Sequence, residues 1–182
     1  MTTRSAFLMQ TYYSGTIAAK LTAARGLYED RAPDFLASPV INEALETLRH
    51  SALALDGQMR AMDLGRLCSR CAARSDGGCC SAFMAGNTDS ILLLINLLLG
   101  VPVQSRNNGE ENCCYLGERG CLFLVKPIFC LNYNCKHILD RTDTENLDAL
   151  YRFAAGVLSQ QTRVEGLLLE ALSDPRAGAI HP

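Results

Sequence analysis

The chain contains no tryptophan, three histidines and only 7% aromatic residues over its 182 positions. It also has no run of Lys or Arg, and its net charge is −2. Neither the basic footprint nor the base-stacking surface of a nucleic-acid-binding protein is therefore present. The most apolar segment, Ile91 to Leu99, is closed by Gly100 and Pro102. It covers about half of the roughly 20 residues that a membrane-spanning helix needs. It reads as a buried helix, and no membrane role is expected. After Arg4 the first apolar run is interrupted by Gln10, Thr11, Tyr12, Tyr13 and Ser14, which argues against an export signal and for a cytoplasmic protein. Gly-x-Gly-x2-Gly, Walker-type, His-Glu-x2-His and Gly-x-Ser-x-Gly motifs are all missing, so nucleotide, metalloprotease and hydrolase chemistries have no support. The carboxylates read as solvated helix faces, and no catalytic acid–base pair is nominated.

What the chain does have is cysteine. All nine lie between Cys68 and Cys135: Cys68-x2-Cys71, vicinal Cys79-Cys80, Cys113-Cys114, Cys121, Cys130 and Cys135. A reducing cytosol keeps thiols from pairing, and an odd total fits a full set of disulfides badly, so metal ligation is the simplest account. A Cys-x2-Cys pair can fold two thiolates onto one ion or cluster because two intervening residues allow a tight turn. Cys68, Cys71, Cys79, Cys80, Cys114, Cys121, Cys130 and Cys135 are the candidate ligands, while Cys113 serves equally well as a small buried hydrophobe. On one regular helix Cys130 and Cys135 would point about 140° apart, so either the helix breaks between them or they serve different sites. His137 reads as a surface or helix-terminal residue, and His50 and His181 as more peripheral still.

The rest of the chain reads as an all-α protein: a four- or five-helix bundle in one domain spanning 1–182. Its helical scaffold covers 3–67 and 142–173, around a cysteine-rich metal-binding region over 68–139. Helical spacing runs from about Thr3 to Asp30, with a break expected at Arg31 to Asp34. Ser38-Pro39 starts a second helix whose apolar stripe continues to Leu67 and delivers Cys68 and Cys71. Gly-, Ser- and Asp-rich 72–86 is expected to be loop, and Asn87-Thr88-Asp89 to cap a buried helix ending at Leu99. The segment 104–112 reads as irregular, 114–121 as a compact knuckle, and Pro127 to about Leu139 as one helix. Thr142-x-x-Glu145 matches a capping box opening the last long helix, which ends near Ser173 before a frayed tail.

The run Cys68-x2-Cys71-x7-Cys79-Cys80, with Cys114-x6-Cys121 and Lys126-Pro127-x2-Cys130-x4-Cys135, resembles the YkgJ-like cysteine-cluster family. That family's signature is Cys-x2-Cys-x2-Cys-Cys with a downstream Arg-Pro-x2-Cys. The resemblance spans about 68–135 and implies a zinc- or iron-chelating domain. The cluster type is also similar to that of flagellin lysine N-methylases, where an iron–sulfur centre is implied. Two departures stand out: seven residues precede the vicinal pair here, and Lys126 and Leu131 occupy positions where the family tends to have arginine. The expected function is metal binding, with Zn²⁺ or an iron–sulfur cluster held by thiolates in a structural or partner-presenting role. An iron–sulfur redox or protein-modifying enzyme and a thiol-based sensor are the alternatives.

Overall fold

A computed structural model describes residues 3–73, 78–106 and 111–173, with side chains from Phe7 onward. These residues form α1 (Thr3–Tyr12), α2 (Ile17–Ala37), α3 (Pro39–Ala61), α4 (Leu64–Ala72), α5 (Ala82–Gly86) and α6 (Ser90–Leu98). The hairpin β1 (Leu116–Gly117) and β2 (Gly120–Cys121) follows, then α7 (Ile128–Asn132), α8 (Lys136–Leu139) and α9 (Thr144–Ser173). The described residues are mostly α-helical, with that two-stranded hairpin as their sheet.

The largest helix pair is α3 against α9. On α3, Ile41, Ala44, Leu45, Leu48, Ala52 and Leu55 are buried at three- and four-residue intervals. On α9, Leu150, Ala154, Val157, Val164 and Leu168 are buried in the same way. Each set forms one stripe of a 3.6-residue helix, so both helices are held by the core they share. Gln58, near the end of α3, donates to Asn146 at the start of α9 at 3.0 Å, which sets the end of one helix against the beginning of the other.

Helix α6 is buried from Ser90 to Asn96 and belongs to two cores. Ile91, Leu92, Leu94 and Ile95 join the α3–α9 cluster, while Leu93 packs with Leu21 and Ala24 of α2, Tyr115 and Phe123. Asp89 caps it, accepting from the Leu92 amide at 2.8 Å. Such a cap satisfies a backbone N–H that would otherwise be orphaned at the start of a buried helix.

Several boundaries differ from the sequence expectation. The first break falls at Ser14-Gly15, where Gly15 adopts φ +100°, and α2 continues through Pro33 to Ala37. Burial of Ala32 and Phe35 holds that last turn against the loss of the proline's backbone donor. The stripe running to Leu67 is divided at Asp63, which has a left-handed φ of 51°, so a separate α4 carries Cys68 and Cys71. Within the expected 72–86 loop, Ser81 caps the short α5, and residues 74–77 lie outside the described residues. The irregular 104–112 segment is described only in part, since 107–110 also fall outside. The expected helix from Pro127 is two short helices broken at Tyr133 to Cys135. Asp143, not Thr142, caps α9: its carboxylate accepts from the Asn146 amide at 2.8 Å, while the Thr142 hydroxyl donates to the Ile138 carbonyl. The tail beyond Ser173 lies outside the described residues.

Candidate functional site

The cysteine-bearing elements are placed by backbone contacts rather than by apolar stripes. Helix α4 lies directly on the hairpin: a Cβ on Gly65 would stand 2.1 Å from the Arg119 carbonyl oxygen, and one on Gly120 would stand 2.7 Å from the Gly65 Cα. No pair of L-residues with side chains fits there, and Gly120 also requires φ +104°. The Ser69 hydroxyl sits between the two elements, 2.8 Å from the Gly117 carbonyl and accepting from the Gly120 amide at 3.2 Å. This close approach faces Cys68 on α4 toward Cys121 on β2.

The vicinal pair is anchored from the other side. Cys113 donates its amide to the Cys80 carbonyl at 3.0 Å, and Ala82 donates to the Glu111 carbonyl at 2.8 Å. A single buried amide then fixes the approach to Cys130. Asn96, fully buried in α6, donates to the Leu92 and Val125 carbonyls at 3.0 and 2.9 Å. It accepts from the Leu124 and Val125 amides at 3.1 Å each. Its carboxamide therefore replaces a strand partner for the segment that leads into Lys126, Pro127 and α7.

The result is one pocket of about 100 Å³ lined by Cys68, Cys79, Cys80, Cys113, Cys121 and Cys130. Its remaining wall is mostly apolar, with Lys126, Thr88, Tyr133 and Asn134 as the other polar contributors; no carboxylate or imidazole lines it among the described residues. Of the eight candidate ligands, five reach this pocket, and Cys113 joins them. Cys71, Cys114 and Cys135 do not line it. The Cys71 sulfur lies 3.2 Å from where a Cβ on Gly78 would stand, Cys114 packs on the smaller core, and Cys135 sits against the main core at the start of α8. His137 is exposed on α8, His50 on α3 bonds the Glu46 carbonyl, and His181 is outside the described residues. All nine cysteines carry thiols.

Their acidities differ with position. The Cys80 thiol lies between Cys68 and Cys79 and bonds both. That contact pulls the Cys79 pKa down to about 6 and lowers that of Cys68. The same two neighbours, with burial, push Cys80 well above the usual thiol range. Burial pushes Cys113 up to about 11 and Cys130 up to about 12, and it raises Cys114 and Cys121 as well. Exposed Cys79 and Cys68 thus favour the thiolate in a pocket where Cys80, Cys113, Cys121 and Cys130 hold their protons more tightly. Among the described residues, no group of three or more His, Cys, Asp or Glu side chains is arranged to hold a metal ion. Cys68, Cys79 and Cys80 are joined by thiol contacts, and Cys113, Cys121 and Cys130 line the same pocket.

Sequence reasoning missed Asn96, noted Lys126 only as a departure from the family pattern, and left Cys113 open between a ligand and a buried hydrophobe. The signal for Asn96 was its solitary polar character inside Ile91 to Leu99, and for Lys126 its place between Val125 and Pro127 in an otherwise apolar stretch. No family model, curated protein or solved structure matches the chain. Among the described residues, no helix is long and apolar enough to cross a membrane.

Proposed function

We propose that the protein holds a soft metal centre, Zn²⁺ or an iron–sulfur cluster, through thiolates of Cys68, Cys79, Cys80, Cys121 and Cys130, with Cys113 in reach. One observation carries the reading: six cysteines from five separate stretches line one apolar pocket that contains no carboxylate or imidazole. Sulfur-only donor sets suit zinc and iron–sulfur clusters and are unsuited to magnesium or calcium. Because no three of these side chains are arranged to hold an ion as they stand, loading requires the thiols to close inward, with exposed Cys79 at the edge of the pocket. A closed four-thiolate zinc site would organise the fold, whereas an iron–sulfur centre would supply an electron carrier.

In this reading 3–67 and 142–173 form the bundle scaffold of a single domain. The region 68–139 is its metal-binding insert, in keeping with the resemblance to the YkgJ-like family. Exposed Phe129 and Tyr133, which line the pocket, suit a partner-presenting role. A reducing cytoplasm suits the thiols.

The test is elemental analysis with a visible absorption spectrum on protein purified without air. Iron and sulfide in brown protein, or zinc in colourless protein, support the proposal and decide between the two centres. Protein that carries neither, and takes up neither on reconstitution, overturns it. That second outcome would favour a thiol-based sensor, a reading supported by the exposure of Cys79 and its contact with Cys80.

A further inference from the structure

Lys126 is 6% exposed, and it lines both the thiol pocket and an adjoining open groove. Burying an ammonium group costs several kcal/mol unless an opposite charge or acceptor compensates it. The other buried lysine of the protein, Lys20, meets the Gly86 carbonyl at 2.8 Å. Lys126 makes no ion pair among the described residues: the ion pairs there join Arg31, Arg60, Arg66 and Arg70 to Asp34, Asp56 and Asp63. Asp56, Asp63 and Glu118, which line the groove beside it, leave it without a contact. The groups in electrostatic reach of Lys126 inside the pocket are the sulfurs of Cys68, Cys121 and Cys130.

The pocket has further donors in want of an acceptor. The Thr88 hydroxyl and the Asn134 amide nitrogen are buried without a hydrogen-bond partner, and both residues line it. A cavity edged by a lysine that makes no ion pair among the described residues, and holding two orphaned polar groups, suits a negatively charged occupant. A divalent ion held by four thiolates is such an occupant, since it retains two negative charges.

We infer that Lys126 is the counter-charge of the thiol pocket, a positioning residue that makes gathering several thiolates around one metal favourable in an apolar cavity. The inference rests on the metal-binding reading above. It also explains how the chain meets the charge of such a centre without a carboxylate or imidazole in the pocket. Placing Lys126 immediately before Pro127, on the segment clamped by Asn96, fixes it relative to Cys130, four residues on.

The experiment titrates Zn²⁺ alone into the full reduced chain against a competing chelator, for the wild type and for Lys126→Met, and melts both proteins with and without the metal. Methionine keeps the volume and removes the charge. The expected result is an affinity lower by about 10- to 100-fold, the range for groups that support metal ligands from outside the coordination shell. The metal-free variant should melt at or above the metal-free wild type, because a cation set against an apolar pocket wall with no ion pair has been removed; with Zn²⁺ the order should reverse. Unchanged affinity in Lys126→Met overturns the inference. So does a metal-free variant that melts lower or fails to fold, since Lys126 would then be a structural residue. If the wild type itself binds no Zn²⁺ and no iron, it is the metal-binding reading that has failed.

Discussion

The α3–α9 core and the thiol pocket are built by opposite means. In the first, helices of 23 and 30 residues meet along continuous apolar stripes, and each buried side chain contributes its own share of transfer free energy. In the second, elements of two to nine residues are held by a glycine-on-glycine contact, a shared serine hydroxyl and one buried asparagine. The first region is a sum of many replaceable contributions. The second depends on a few contacts that have no substitute, and its interior lacks the apolar filling that would close it.

The comparison breaks most sharply at Asn96, which belongs to both regions. Asn96→Leu fits the apolar helix but orphans the amides of Leu124 and Val125, at about 1–3 kcal/mol for each buried group. Chemical denaturation is expected to show a loss of about 2–6 kcal/mol, together with lost metal uptake. Leu48→Ala, in the fully buried centre of the first core, is expected to cost about 2–5 kcal/mol while metal content per folded chain stays unchanged. Cys121→Ser should do the reverse, removing the metal while the metal-free melting temperature moves little. If Cys121→Ser and Leu48→Ala each changed both readouts equally, the two regions would be one cooperative unit and the contrast would fall.

A smaller effect sharpens the role of α6 between the two. Burial pushes the Asp89 carboxyl above its ordinary range. A carboxyl raised in the folded state weakens the fold as pH climbs from the unfolded value, about 4, through the raised one, so at neutral pH its charge is a cost. Asp89→Asn keeps an oxygen for the Leu92 amide and removes that charge. It should be more stable than wild type at pH 7, with the gain vanishing below about pH 4. Asp89→Ala loses the cap and should cost about 1 kcal/mol. The smallest perturbation is chemical labelling: in metal-free protein, limiting iodoacetamide should modify Cys79 first, with a rate rising through about pH 6, while half-buried Cys130, its thiol pushed up to about 12, resists. Mass spectrometry of the digest reads the order directly.

The first region was legible in the sequence, and the second only in its ingredients. Three- and four-residue spacing located α3 and α9, because a helix that buries one face must repeat its apolar residues with the helical period, and a short all-round apolar run located the buried α6. Asp89 announced its own cap. The breaks at Asp63 and Gly15, and the survival of α2 through Pro33, were not legible because tertiary packing outweighed local propensity at each. At the site, the clustering of cysteines marked the region, and the break between Cys130 and Cys135 was one of two outcomes that helix geometry allowed. Which thiols share a pocket was hidden, because that depends on how α4 lies on a hairpin 50 residues away. Cys113 and Cys114 are neighbours of the same type, and only the fold separates the one that lines the pocket from the one that does not.

The contact between Gly65 and Gly120 makes the spacing between α4 and the hairpin a property of two main chains in van der Waals contact, independent of the side chains around them. Substitutions elsewhere on α4 can alter its surface without changing how far Cys68 stands from Cys121, whereas one methyl group at Gly65 acts as a spacer between them. A Cβ at Gly65 would meet the Arg119 carbonyl oxygen at 2.1 Å, so Gly65→Ala would push α4 off the hairpin and carry Cys68 away from Cys121.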